Sequence, residues 1–486
     1  MKLLNELNPV PVWRYFSDIC AIPRISGHEK EIREYLLNFA AGNNLDSKED
    51  NVGNILIIRP ASPGMEKVKV LVLQSHLDMV GEKNADNPHN WYTDPIVPVV
   101  NGDWVTAAGT TLGADDGIGI ATQLAILSDS KLKAGRIECI FTVDEESGMT
   151  GAKSLDPDFF SGRILINLDS EDEGILFIGC AGGLDTVGTL KYKTVAPEPG
   201  TASFEISVTG LHGGHSGDEI HKGYANSVKI MTRILRDLAK QVRFSLSTFN
   251  GGNLRNAIPR EAFSTIVAQK SDSGKIISFI ESYYSAIQME FGETEKELQI
   301  TVIETGLPKT VMDEFNHNNL INALTCCPHG VIAWSKELSG LVETSTNLAS
   351  VKFTRQNEVK IVTTQRSSIE SAKHDAGASV EACLRLAGAE VEHSSGYPGW
   401  RPDMNSEILK ITSASYKKLF GNEPEITVIH AGLECGLINQ KVKNIDMISF
   451  GPTIKGAHTP EEKIEIKTVQ KFWDLLIHVI DNIPSA

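Results

Sequence analysis

The sequence predicts an α/β protein: a mixed, largely parallel sheet with helices on both faces, interrupted by an inserted α+β domain. Three observations predict it. Short β-branched apolar runs alternate with amphipathic helical stretches over residues 1–186, the pattern of strands joined by helical crossovers. The texture changes over residues 187–396 and returns over 397–486, so the two ends of the chain form one domain and the middle is inserted into it. Several apolar runs of the first texture also end in His, Asp or Glu. That puts polar groups at the carboxyl ends of strands, the edge where open α/β sheets bind ligands.

Taken in order, Pro11–Ile22 is expected as a helix with Val12, Phe16 and Ile19 inward, stopped by Pro23. Ser26 and Glu29 match a capping box ahead of the periodic Ile32, Leu36 and Phe39. Val52–Ile58 and Val68–Leu73 are expected strands. The second is apolar almost throughout, as a strand covered on both faces should be, and it runs into Gln74, Ser75, His76, Leu77 and Asp78. Asn84–Thr111 is a turn-rich connection. Gly117–Ser128 has Ile120, Leu124 and Leu127 at helical spacing. Arg136–Val143 is a strand ending at Asp144, Glu145 and Glu146, and Ile164–Leu168 is a strand ending at Asp169.

Lys191–Gly200 marks the change of texture. Ser203–Thr209, Phe244–Phe249 and Ala262–Ala268 follow as strands, with a helix over Ala225–Lys240. A second round repeats the kind: strand Leu298–Glu304, helix Asn318–Thr325, strands Ser350–Thr354 and Val359–Thr364, helix Ser367–Ala387. Gly396–Trp400 closes the insertion. Helix Asn405–Phe420, strands Glu425–His430 and Asp446–Phe450, the loop Gly451–Glu462 and helix Lys467–Asn482 then complete the first domain.

With 46 basic and 62 acidic residues the net charge is −16, which disfavours nucleic acid and anionic membrane as partners. The seven cysteines are scattered without a CxxC, a reduced pattern rather than a disulfide framework. No signal-like start and no apolar stretch of about 18 residues stands out. A cytoplasmic protein is the expectation.

His76, Asp115, Glu146, Asp169 and His458 are ligand types for divalent ions of the zinc class. A site for two ions needs a carboxylate between them, with the ions about 3.5–4 Å apart. Asp115 lies in a glycine-flanked loop where backbone can approach closely. A single Asp, Glu or His is more often solvated or packed. Their combination at strand ends carries the reading.

The runs SHLDMV (75–80), TTLGADDGIGIA (110–121), FTVDEESGMTGA (141–152), INLDSE (166–171) and GAHTPEE (456–462) together resemble the M20 family of dinuclear metallopeptidases, nearest its dipeptidase branch. GLHGGHSGDEI, GGNLRNAIPR, SGYPGW and HAGLECG extend the resemblance over nearly the whole chain. It implies two divalent ions per subunit, zinc first, with cobalt or manganese as alternatives. Asp115 would bridge them, with His76 and Asp169 completing one site and Glu146 and His458 the other. Glu145 would be the general base on the water between the ions, and Asp78 would orient His76. Residues 1–186 and 397–486 become the catalytic domain. Residues 187–396 become a lid and dimerisation domain whose His215 donates to the oxyanion, in its own subunit or across a homodimer, with His212 and His221 as competitors. Asn256 and Arg260 would hold substrate ends, Glu434 the α-amino group and Arg401 the carboxylate.

The implied activity is hydrolysis of unsubstituted dipeptides, including Xaa-His. Tripeptidase, carboxypeptidase or N-acyl amino acid deacylase activity would suit the same fold, and blocking the substrate's amino group separates these from a dipeptidase. A non-catalytic binding protein would be expected to lack a ligand or the base, and none is missing.

Overall fold

The computed structural model describes residues 4–486. The chain divides into two units. One runs through Gly179 and resumes over Trp400–Val428 and Leu433–Ala486; the other comprises Cys180–Gly399 and Ile429–Gly432. The first crossing therefore precedes the expected boundary at residue 186. Its physical cause is pairing: strand Gly182–Lys191 is already zipped antiparallel to Glu358–Ser367 of the inserted sheet.

The first unit is built on an eight-stranded sheet. Its order is Asp46–Glu49, Ile55–Arg59, Ile137–Thr142, Leu71–His76, Ile164–Asn167, Asp446–Ser449, Ile175–Cys180, Glu425–Ile429. Leu71–His76 pairs parallel with Ile137–Thr142 on one side and Ile164–Asn167 on the other, and Asp446–Ser449 continues the parallel set. Antiparallel pairings flank this middle. Every residue of Leu71–His76, Ile137–Thr142 and Ile164–Asn167 is buried, as expected where both faces are covered. The crossover from Leu71–His76 to Ile137–Thr142, through helix Ala114–Ser128, moves one way along the sheet. The crossover from Ile137–Thr142 to Ile164–Asn167 moves the other way. Right-handed connections then put the two on opposite faces. Three parallel strands so end together, at His76, Thr142 and Asn167.

The sequence places the strand Val68–Leu73 three residues early. The observed strand runs to His76 because Gln74 and Ser75, though polar, find hydrogen-bond partners, Thr142 on the next strand and Gln123 on helix Ala114–Ser128. A small antiparallel sheet of Ile454–Lys455, Lys463–Glu465, Trp104–Ala107 and Pro98–Asn101 holds the His458 loop at its base.

The second unit is an antiparallel sheet in the order Gln299–Thr305, Thr201–Thr209, Ala262–Gln269, Phe244–Gly251, Val342–Phe353, Glu358–Ser367, Gly182–Lys191, Glu390–His393, with Gly330–Trp334 added on Val342–Phe353. Along Thr201–Thr209 the side chains alternate. Phe204, Ile206 and Val208 enter a core with Val228, Met231 and Ile280 from the helices, while Glu205 and Ser207 face the other way. Helix Ser273–Phe291 has no counterpart in the sequence reading. Only Ile276, Ile280 and Ile287 are buried in it, while Ile277 and Met289 are exposed, which blurs the helical period.

Candidate metal centre

Five side chains from five separate stretches of the first unit converge beyond the strand ends. His76 closes its strand and is 1% exposed. Its Nε2 lies 2.9 Å from Asp115 Oδ1 and 3.4 Å from Asp169 Oδ1. The other oxygen of Asp115, Oδ2, is 3.2 Å from His458 Nε2, which also stands 2.9 Å from Glu146 Oε2. Two donor sets result, His76–Asp115–Asp169 and Asp115–Glu146–His458, joined by the two oxygens of one carboxylate.

The loop before helix Ala114–Ser128 is what presents Asp115. Gly113 has φ +68°, and a Cβ there would lie 2.7 Å from both the Arg24 Nη2 and the Met79 Sδ. Asp115 and Asp116 depart from helical dihedrals, and the peptide between them is cis. Asp116 itself is buried and accepts from the backbone N–H of His76 and Gly119. That makes it the structural partner of the loop.

Asp78 does two things. Its Oδ1 lies 3.4 Å from His76 Nδ1, a long contact that still sets the imidazole's charge partner. It also accepts from the backbone N–H of Glu145 at 3.0 Å and of Glu146 at 3.2 Å, and from Ser26 Oγ at 2.7 Å. One buried carboxylate thus fixes the imidazole and the pair of glutamates. Burial pushes Asp78 up, but the hydrogen bonds and charge of His76, with those from Ser26 and Glu145, outweigh it and leave its pKa at about 2. Asp115 is likewise raised by burial and more strongly lowered by His458 and His76. Burial pushes Glu145 well above the usual carboxylate range; His76 opposes this, and Asp169, Glu434 and Glu146 reinforce it. His458 is raised to about 11, first by its bond to Asp115 and then by Glu146.

These residues fit a pair of divalent ions. His76 Nε2 can carry one proton, yet it faces carboxylate oxygens of both Asp115 and Asp169, so one proton cannot satisfy both. The donor separations of 2.9–3.4 Å are close to those around a small ion bound at about 2.0–2.2 Å. Imidazole with carboxylate is a zinc-class donor set.

Beneath the ligands runs a buried polar chain that the sequence did not reveal. Ser449 Oγ donates to Asn167 Oδ1 (2.5 Å), Asn167 Nδ2 to Gln74 Oε1 (2.7 Å), and Gln74 Nε2 to Glu434 Oε2 (2.6 Å), which also accepts from Thr142 Oγ1 (2.6 Å). It pins four strand ends in register. Glu434 is fully buried, raised to about 8 chiefly by burial, and its Oε1 has no partner among the described residues.

In the second unit, His215, Asn256 and Arg260 gather about one loop. His215 Nδ1 is 2.9 Å from Asp218 Oδ2, and its backbone N–H donates to Glu219. The backbone of Ser216 donates to Asn256 O, and Arg260 Nε donates to Leu211 O. Arg366 is a residue the sequence reading passed over, between the expected strand Val359–Thr364 and helix Ser367–Ala387. It is 6% exposed, it accepts a place beside Tyr397 with Nη1 donating at 3.1 Å to the hydroxyl, and its Nε has no partner among the described residues. The strand in fact runs to Ser367. A cation at a strand end was the available signal.

The structure does not bring Arg401 to the metal centre. It lines a cavity of about 390 Å³ with Asp403, Asn405 and Asp446. Asp446 begins its strand and pairs with Ile164, so this cavity opens at the sheet edge opposite the one bearing His76. The run after Gly396–Trp400 re-enters the first unit at the wrong edge for the role expected of it.

The sequence model of peptidase family M20/M25/M40 matches residues 72–482. Cytosol non-specific dipeptidase of Escherichia coli (strain K12) is 42% identical over 485 residues, 100% of both chains. Among solved structures, aminoacylhistidine dipeptidase from Vibrio alginolyticus aligns with TM-score 0.94 at 42% identity, covering 100% of this chain and 99% of that one. Aminopeptidase PepT from Bacillus cereus aligns with TM-score 0.58 at 16% identity, covering 98% and 99%, a likeness of fold alone.

Proposed function

This chain belongs to peptidase family M20/M25/M40, and from that premise we propose that it hydrolyses unsubstituted dipeptides, Xaa-His among them, with two divalent ions held by His76, Asp115, Glu146, Asp169 and His458. The single observation that carries the reaction class is Asp115, whose two oxygens face two separate donor sets, with Glu145 close by beside His76 and Glu146. Zinc suits the donors, with cobalt or manganese as alternatives.

Bound ions would supply polarisation of the scissile carbonyl and a lowered pKa for water. The protein's own groups do the rest. Glu145 takes a proton from water as its oxygen attacks the carbonyl carbon. The C–N bond then breaks and Glu145 returns the proton to the leaving amine. Asp78 keeps the His76 ring and the Glu145 backbone in fixed relation. Glu434 would meet the substrate's ammonium with the oxygen left over from the buried chain.

Donation to the oxyanion falls to His215, and Asn256 and Arg260 belong with it in holding substrate ends, because the loop bearing His215 is bonded to the loop bearing the other two. A homodimer through that unit is supported by the outer face of its sheet. Ile303 and Phe263 lie on the face turned away from the core and are exposed. A cytoplasmic location suits the buried thiols Cys20, Cys139 and Cys327, and among the described residues no helix is long and apolar enough to cross a membrane.

The test is a dipeptide panel with and without chelator, including amino-blocked dipeptides and tripeptides. Free dipeptides should be cleaved, blocked ones refused, and chelation should stop turnover. Cleavage that requires an N-acyl group would replace the dipeptidase reading with a deacylase.

A further inference from the structure

Glu462 is a carboxylate with an unusual set of partners. It lies four residues after His458, is 2% exposed, and has no ion-pair partner among the described residues. Instead its Oε2 accepts from the backbone N–H of Leu112 (2.7 Å) and Gly113 (2.9 Å), and its Oε1 from Ala114 (2.7 Å) and Asp115 (3.4 Å). Four successive amides close on one side chain, and the last of them belongs to Asp115.

The loop between His458 and Glu462 is itself braced. Thr459 donates through both its N–H (3.2 Å) and its hydroxyl (2.8 Å) to Gly456 O, and it accepts from the N–H of Glu461 and Glu462. His458 has φ +63°, a conformation a non-glycine residue holds only when its surroundings fix it. The opposite side of the Leu112–Asp115 loop is clamped as well. Arg24, 2% exposed, donates from Nη1 to Leu77 O (2.9 Å) and Asp78 O (2.7 Å), and from Nη2 to Gly113 O. Glycine at 113 and 117 is what lets the guanidinium in, since a Cβ at either would lie within 2.7 Å of Nη2.

We propose that Glu462 is a positioning residue for the second ion: by gripping the amides of Leu112–Asp115 it fixes the bridging Asp115 carboxylate in register with His458, whose loop it terminates. Arg24 fixes the same loop from beneath, in register with the His76–Asp78 turn. The two ions' ligand sets are therefore set by one buried anion and one buried cation acting through a shared backbone segment. Neither group touches substrate. This inference rests on the metal-binding reading above.

The inference differs from simple capping of helix Ala114–Ser128 in what it changes. A cap supports the fold whether or not ions are bound. A register device matters to the affinity of the site.

The experiment measures zinc affinity of the metal-stripped full chain by competition with a chromophoric chelator, together with melting temperature with and without zinc, kcat and KM. Variants are Glu462→Gln, Glu462→Asp and, as a control, the exposed neighbour Glu461→Gln. Glu462→Gln should weaken one of the two ions by about 10- to 100-fold, the usual cost of losing a group that orients a ligand. It should shrink the zinc-dependent rise in melting temperature and lower kcat with little change in KM. Glu462→Asp keeps the charge but is one methylene short, so it should fall between Gln and wild type. Glu461→Gln should match wild type.

A lower metal-free melting temperature with unchanged zinc affinity and kcat would overturn the proposal and leave a structural cap. If Glu462→Gln does not fold, Glu462→Asp decides alone, and wild-type zinc affinity in it is the overturning result. A wild-type chain that binds two ions but cleaves no dipeptide removes the functional reading, while zinc affinity still judges Glu462.

Discussion

Asp115 Oδ2 and His458 Nε2 stand 3.2 Å apart although 343 residues separate them in the chain. On the other side, Asp115 Oδ1 is 2.9 Å from His76 Nε2. One side chain therefore joins ligands supplied by the two ends of the catalytic unit. His458→Ala should cut bound zinc from about two ions per chain to about one, since His76, Asp115 and Asp169 keep a set of their own. Elemental analysis after dialysis reads this. Chelation of the wild type should abolish hydrolysis, and zinc, cobalt or manganese should restore it.

Glu145→Gln keeps size and hydrogen bonding but cannot accept the proton. Its kcat should fall by about 10²–10⁴-fold, with metal content unchanged. Near-normal turnover in this variant would remove Glu145 from the mechanism.

Asp78→Asn removes a charge that faces His76 and one of the two oxygens that accept from the backbone of Glu145 and Glu146. Zinc affinity and activity should both drop, by about 10- to 100-fold. A variant that loses activity at full metal occupancy would show that Asp78 acts chiefly through the Glu145 backbone.

His317 gives the inserted unit an acid sensitivity of its own. It is buried against Phe244, and burial lowers its pKa from 6.5 to about 4, with Glu314 opposing weakly. The folded form holds the neutral ring, so the unfolded chain binds more protons between those values. The stabilising contribution is complete above pH 6.5 and is lost as pH falls toward 4. His329, also lowered to about 4 by burial and then by Lys229, acts in the same direction. His317→Met should reduce the loss of unfolding free energy between pH 6.5 and 4 by roughly 3 kcal/mol. Urea titrations of the inserted unit's transition at several pH values check it.

Three of the candidate ligands could be read from the sequence because each follows an apolar run, and strand ends in α/β sheets share an edge, whereas Asp115 and His458 sit in loops and came from the motifs. His76, Glu146 and Asp169 needed no more than that. Glu462 was visible inside GAHTPEE, but its role was not, because its partners are backbone amides about 350 residues away and amides leave no mark in sequence. Arg24 was hidden for the same reason, with only carbonyls as partners. Gln74 looked like the end of a strand, since the asparagine, glutamate and threonine that satisfy it lie on other elements. Arg401 shows the converse: a suggestive position after a glycine-rich turn said nothing about which edge of the sheet the chain re-enters. The Asp115 pairing was legible as chemistry; the supports beneath it were not.

Strand Asp446–Ser449 lies in the middle of its sheet, between Ile164–Asn167 and Ile175–Cys180, and Ile429–Gly432 completes the inserted unit. During synthesis both units therefore wait for late residues. A nascent chain that has passed Gly399 still has a gap in one sheet and lacks the His430 that bonds Ser345 in the other unit. The candidate ligands His76, Asp115, Glu146 and Asp169 are then present without the strand that closes their sheet or the histidine that completes their set. Capture of both ions is for this reason expected only once Asp446–Ser449 and His458 have been made, and truncation before Asp446 should remove the activity whole rather than in part.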